Sequence, residues 1–256
     1  MEPVLRLNGT AYFASDLHLG FPDPVSSRLR EQRFVRWLDH IAAEANHLFL
    51  LGDLFDFWFE YRQVVPRGFV RLLGKLAQLS DAGIQIHIFT GNHDQWMTDY
   101  FHQELHAFIY HKPQYMILGQ KKFLLAHGDG LGPGDYGYKL LKTVFRNPFA
   151  RWLFARLHPN FGVWLGKRWS RNNRLLNGVE QAQFLGPEQE WLVQYAFKKL
   201  QTEFIDYFIF GHRHLMLTFP LPGGSTLITL GDWIHYNSYA VFDGTEVRLC
   251  TYAETA

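Results

Sequence analysis

Five short stretches of this 256-residue chain set oxygen and imidazole groups at the ends of apolar runs. They are Asp16-Leu17-His18, Gly52-Asp53, Gly91-Asn92-His93-Asp94, His127-Gly128 and Gly211-His212-Arg213-His214. Residues two apart on an extended segment point the same way, so Asp16 can act with His18 and His212 with His214. Carboxylate, imidazole and amide oxygen together suit divalent Mn, Fe, Zn or Co better than Ca. With one cysteine, Cys250, neither an intramolecular disulfide nor a thiolate cluster can form. The 13 histidines exceed what a core ordinarily needs and point to metal or proton chemistry. Glycine beside four of these groups lets the backbone turn sharply and approach an ion closely. Taken singly, Asp-x-His and Gly-Asp are common, and a lone His is ordinarily a packed core residue. Five such groups, each closing an apolar run, are not an accident of composition.

The elements that must carry these groups alternate. Strands are predicted at Thr10 to Ala14, His47 to Leu51, Ile84 to Thr90, Lys122 to Ala126 and Asp206 to Phe210. Helices are predicted at Arg30 to Ala45, Gly68 to Ala82 and Pro187 to Leu200, the last with Pro in its first turn. Short strands follow Leu215, with turns at Pro222-Gly223-Gly224 and Asp243-Gly244. This order predicts an α/β core with a sheet-rich C-terminal part. Polar groups at strand ends fit such a core, because loops converge beyond the carboxyl ends of strands.

Between Tyr136 and Val179 the texture changes: nine basic residues, many aromatics and no acid. Two or three inserted helices are expected there. The net charge of +1 argues against a globally basic nucleic-acid binder, and 47% hydrophobic residues exclude a mostly disordered chain. The N-terminus lacks the pattern of a signal peptide, and no run reaches the roughly 18 apolar residues of a spanning helix. A cytoplasmic protein is the expectation, with attachment to a membrane surface left open.

The five groups, in this order, resemble the calcineurin-like binuclear metallophosphoesterases, whose pattern runs D-x-H, G-D, G-N-H-[DE], H-G and G-H-x-H. The resemblance implies a single domain over 1–256, a β-sandwich flanked by helices, and two bound divalent ions. Carried over, one ion binds Asp16, His18 and His214, the other binds Asn92, His127 and His212, and Asp53 bridges them. Such a pair clamps a phosphoryl oxygen and draws a nucleophile from water at neutral pH. His93 then faces the reacting phosphorus as a hydrogen-bond or proton donor. Asp94 either orients the His93 ring or serves a structural role.

A narrower resemblance rests on Ser15-Asp16-Leu17-His18-Leu19-Gly20, on Leu51-Gly52-Asp53-Leu54-Phe55-Asp56-Phe57-Trp58 and on Ala126-His127-Gly128-Asp129-Gly130. These look like the UDP-2,3-diacylglucosamine pyrophosphatases of lipid A synthesis, as does the insertion before G-H-x-H. That family implies cleavage of a lipid-linked sugar nucleotide to lipid X and UMP, commonly with Mn, at the cytoplasmic face of the inner membrane. Many members read G-N-R-D where this chain reads Gly91-Asn92-His93-Asp94. By this resemblance Asn92, His93 and His212 also touch substrate, and Asp135 falls at the spacing of an acidic substrate contact. A helical lid over 136–186 supplies basic contacts, with Arg171 and Arg174 as candidates, and aromatics for an acyl groove or the membrane interface. The competing readings are a broad phosphodiesterase or phosphatase on soluble substrates, a nuclease or nucleic-acid-binding module, and a scaffold without turnover. The intact ligand set argues against the scaffold, and the apolar insertion argues against nucleic acid.

Overall fold

The computed structural model describes residues 4–132, 142–145, 147–177 and 183–253, without the side chains of 171–177. Asp135 therefore lies outside the described residues, as do the side chains of Arg171 and Arg174.

Two six-stranded sheets face each other. In the first, β2 (Ala11–Ala14), β3 (His47–Leu51), β4 (Gln85–Phe89) and β5 (Phe108–Tyr110) run parallel. β11 (Ser238–Phe242) joins β2 antiparallel, and β12 (Val247–Thr251) closes that edge. The second sheet has the order β1-β6-β7-β8-β10-β9. It is built from β1 (Leu5–Leu7), β6 (Gln114–Leu118), β7 (Lys121–Ala126), β8 (Tyr207–Phe210), β9 (Met216–Pro220) and β10 (Thr226–Leu230).

Both faces of the central strands are covered, which is why they read as nearly unbroken apolar runs. Phe13, Phe49, Leu51 and Phe89 point between the sheets, against Phe123, Leu125, Ile209 and Ile228. Phe13 stacks on Phe49 at 4.9 Å and on Phe123 at 6.1 Å, tying sheet to sheet. The alternate residues Leu48, Leu50, Ile86 and Ile88 point outward. They are covered by α1 (Pro24–Ile41), α2 (Val70–Asp81) and α3 (Tyr100–Leu105). The outer face of the second sheet packs on α6 (Trp191–Leu200) through Leu192, Val193 and Ala196.

Helix ends explain where the predicted boundaries moved. α1 begins six residues before Arg30, because Asp23 accepts from Val25 N (2.8 Å) and Ser26 N (3.0 Å), with Pro24 in the first turn. α2 has no cap of its own; the buried carboxylate of Glu31, on α1, accepts from Arg71 N and Leu72 N. Residues 187–189 form a turn, so α6 starts at Trp191 and not at Pro187. Of the insertion, the structure describes α4 (Pro148–Phe154) and α5 (Pro159–Asn177). α5 lies against the loop after β3: a Cβ at Gly166 would overlap the Phe57 ring, and one at Gly162 the Tyr61 hydroxyl.

Candidate metal centre

The loops leaving β2, β3, β4, β7 and β8 meet at one edge of the sandwich. Asp16 N donates to Gly52 O (3.1 Å), Gly211 N to His127 O (2.8 Å) and His212 N to Asp16 Oδ2 (2.9 Å), so each loop holds its neighbour. Asp16, His18, Asp53, His212 and His214 all adopt positive φ, between 45° and 66°. Non-glycine residues in this region carry strain, and such strain gathers at functional sites. Gly52 and Gly128 take positive φ, the sharp turn expected of them, and three motif glycines also make room for the neighbouring loops. A Cβ at Gly91 would meet Asp53 N at 2.6 Å, one at Gly211 would meet Asp16 Oδ2 at 2.6 Å, and one at Gly52 would meet His127 Nδ1 at 2.6 Å.

Two sets of ligand-type atoms result. In one, His18 Nε2 and His214 Nε2 are 3.1 Å apart, and each lies about 3.6 and 3.5 Å respectively from Asp16 Oδ1. In the other, His127 Nε2 lies 3.1 Å from Asn92 Oδ1 and 3.3 Å from Asp53 Oδ2, with His212 in the same cluster. Asp53 Oδ2 is also 3.7 Å from His18 Nε2, so this one carboxylate borders both sets.

The chemistry of these atoms fits a cation. Leu51 O accepts from His127 Nδ1 at 2.7 Å, and Asp232 Oδ2 accepts from His214 Nδ1 at 2.9 Å. With Nδ1 so engaged, each ring turns Nε2 toward the cluster, where loss of its proton leaves a lone pair for a cation, the outer-shell pattern of metal-ligating histidines. Asp16 Oδ1 is buried without a hydrogen-bond partner. Ligands about 2.1 Å from one ion stand roughly 3.0–3.4 Å apart, close to the spacings here. Burial opposes charge on His127, yet the carboxylates of Asp53 and Asp16 push it up to about 10. Burial, with the charge of His127, pushes His212 down to about 3. The carboxylates thus favour positive charge at the centre of the cluster, held on His127 in the absence of a cation.

His93 stands beside this pair of sets, its ring edge-on to His18 at 4.9 Å. His93 Nδ1 is 3.1 Å from Asp56 O and 3.0 Å from Ser170 Oγ, and the Ser170 hydroxyl donates to Asp56 Oδ1 at 2.7 Å. Both neighbours accept, so Nδ1 carries a proton. Asp94 does not orient that ring. Its buried carboxylate accepts from Gly91 N (2.8 Å), Asp53 N (3.3 Å) and Leu54 N (2.7 Å), locking two ligand loops together. Burial and the charge of Asp53 raise Asp94 to about 7.

Several supporting residues escaped the sequence reading. Asp232, which holds His214, sits in a further Gly-Asp at the end of β10, a signal of the same form as Gly52-Asp53. Arg30 donates to the carbonyls of Leu17, His18 and Phe21 and clamps the first ligand loop. Arg213 pairs with the buried Glu190 at 2.7 Å and lies over Trp191 at 4.6 Å. Ser170 stands immediately before Arg171 and belongs to none of the five groups.

A cavity of about 250 Å³ opens directly on Asn92 and His93. Its other walls are mostly apolar: Phe57, Trp96, Phe145, Phe154, Leu165 and Trp169. On the far side of α4 and α5, Phe149, Trp152, Phe161 and Trp164 are at least half exposed, with Arg156 over Trp152 and Arg168 over Trp164.

Residues 10–216 match the family model described as calcineurin-like phosphoesterase. The chain is 42% identical over 254 residues to the UDP-2,3-diacylglucosamine hydrolase of Porphyromonas gingivalis, covering 93% of this chain and 95% of that one. It is 30% identical to the enzyme of the same name from Hahella chejuensis, again over 93% and 95%. Among solved structures it aligns with a phosphoesterase from E. coli at 18% identity and a TM-score of 0.44, covering 91% and 88%. With the family model matched over residues 10–216, a relative 42% identical over most of both chains and a cluster fitted to divalent ions, the chain belongs to the calcineurin-like phosphoesterase family of metal-dependent hydrolases.

Proposed function

We propose that this chain hydrolyses UDP-2,3-diacylglucosamine at its diphosphate, releasing diacylglucosamine 1-phosphate and UMP. Its curated relatives are named for that substrate. The observation that carries the reading is the apolar cavity abutting Asn92 and His93, which gives hydrocarbon a place beside the cluster.

In this reading Asp16, His18 and His214 would hold one divalent ion, Asn92, His127 and His212 would hold a second, and Asp53 would serve both. The nitrogen and oxygen donors suit manganese. Ions bound there supply Lewis-acid polarisation of phosphoryl oxygens and a nucleophile at neutral pH. The chain's own part is to place charge and protons. Asp53 puts an anion between two dications. With Nδ1–H held by Asp56 O and Ser170 Oγ, His93 donates from Nε2 to the phosphoryl group or the departing oxygen when the ring carries a second proton there. Asn92 and His212 border the phosphate. Arg171 and Arg174 are the assigned cations for the diphosphate and Asp135 its acidic contact, on sequence grounds.

The insertion acts as a lid and as a membrane contact. Exposed aromatics beside arginines on α4 and α5 support docking on an anionic bilayer surface. No helix among the described residues is long and apolar enough to cross a membrane. The proposed location is the cytoplasmic face of the inner membrane.

The test is turnover with manganese on three substrates: UDP-2,3-diacylglucosamine, an aryl phosphodiester and single-stranded DNA. A kcat/KM for the lipid nucleotide at least a hundredfold above the others is expected. A preference for the aryl diester or for DNA removes the lipid reading.

A further inference from the structure

A second cavity, of about 270 Å³, adjoins the same cluster from another side. It touches His127, whereas the apolar cavity touches Asn92 and His93. Asn92 Oδ1 and His127 Nε2 are only 3.1 Å apart, so the two spaces are lined by residues that touch each other. One short stretch of the insertion separates them. Lys142 and Thr143 line the second cavity, and Phe145, two residues on, lines the first.

The walls of the second cavity have a different chemistry. Asp129 is 6% exposed, and its carboxylate pairs with Lys142 Nζ, which also donates to Asp129 O at 2.9 Å. Thr90 Oγ1 lies 3.4 Å from His111 Nδ1, and the Tyr110 ring is held by its hydroxyl against His87 Nδ1 at 3.1 Å. Hydrocarbon buried against an ion pair and a hydroxyl would strip them of solvent and return nothing. A nucleoside answers each wall. Its base offers a face to Tyr110 or His111. Its carbonyls accept from Lys142 or His111. Its ribose hydroxyls donate to a carboxylate, as in dinucleotide sites. The volume is near the lower bound of about 300 Å³ usual for small-molecule sites.

We infer that this cavity is the nucleoside subsite: Thr90, Tyr110, His111, Asp129 and Lys142 receive the uridine while the apolar cavity receives the acyl chains. The inference rests on the lipid-nucleotide reading above, and it assigns one arm of the substrate to the cavity at His127 and the other to the cavity at Asn92.

The experiment is calorimetric titration of metal-loaded protein with UMP and, separately, with inorganic phosphate. It uses the wild type, His111→Ala and Lys142→Ala, and turnover of UDP-2,3-diacylglucosamine by the wild type is measured alongside. The wild type is expected to bind UMP at least tenfold more tightly than phosphate. Each variant is expected to lose most of that advantage while its phosphate affinity stays within about twofold. UMP binding no tighter than phosphate, or variants that bind UMP as the wild type does, would overturn the subsite. Either of those results in a protein that turns over the lipid nucleotide leaves the reaction standing and removes the subsite alone. Tight, variant-sensitive UMP binding without turnover of the lipid nucleotide keeps the subsite and removes the lipid.

Discussion

The strand-end cluster and the inserted helices solve opposite problems. In the cluster, Asp16, Asp53 and Asp94 are essentially without solvent contact, and five ligand-type residues hold strained backbone. Every loop there is braced by another: Asp94 by the Gly91 and Leu54 amides, His214 by Asp232, the first loop by Arg30. On the insertion, Trp152 and Phe149 stack on each other in the open, half or more exposed. A cluster that must present fixed charge to a reacting centre gains from rigidity. The role proposed for the insertion, meeting long chains and a bilayer, gains from apolar area at the boundary. The two regions touch at Ser170, where a hydroxyl from α5 reaches Asp56 and His93.

This contrast can be broken at either region. The largest effect is expected from Asp53→Ala, which removes the carboxylate bordering both ligand sets. Metal analysis should find both ions lost and activity abolished; two retained equivalents would break the assignment. His93→Asn should lower kcat about 10²- to 10⁴-fold with metal content unchanged. His93→Arg sharpens the role: recovered cleavage of the diphosphate means charge stabilisation, and a rate as low as that of Asn means proton transfer. Asp232→Asn should weaken metal binding about 10- to 100-fold through its hydrogen bond to His214, read by competition with a chelator. The smallest effect belongs to the insertion. The double variant Phe149→Ser, Trp152→Ser should reduce sedimentation with anionic vesicles several-fold and leave metal content as in the wild type. Loss of metal in that variant would mean the two regions are not separable.

What was legible in the sequence follows the same division. The five ligand groups stood out because each closes a strand buried on both faces, so an apolar run ends abruptly in a polar pair. His47–Leu51 emerged with the bounds expected for it. Short elements did not: β1 and β5 are three residues long and α3 six, too brief for periodicity to register. The start of α1 was missed because its signal is Asp23-Pro24, a cap, and the apolar spacing begins only later. The purpose of Gly91 and Gly211 lies in a side chain from a distant loop, which local sequence does not carry. Asp94 likewise looks like a partner of its neighbour His93, yet it bonds to amides some 40 residues away.

The central claim is that the edge of the sandwich holds two divalent ions about one shared carboxylate. Anomalous diffraction at the manganese edge, from crystals of protein purified without chelators and supplied with manganese, tests it most directly. The account predicts two peaks, one among Asp16, His18 and His214 and one among Asn92, His127 and His212, with Asp53 contacting both. A single peak, or peaks outside these residues, would contradict it.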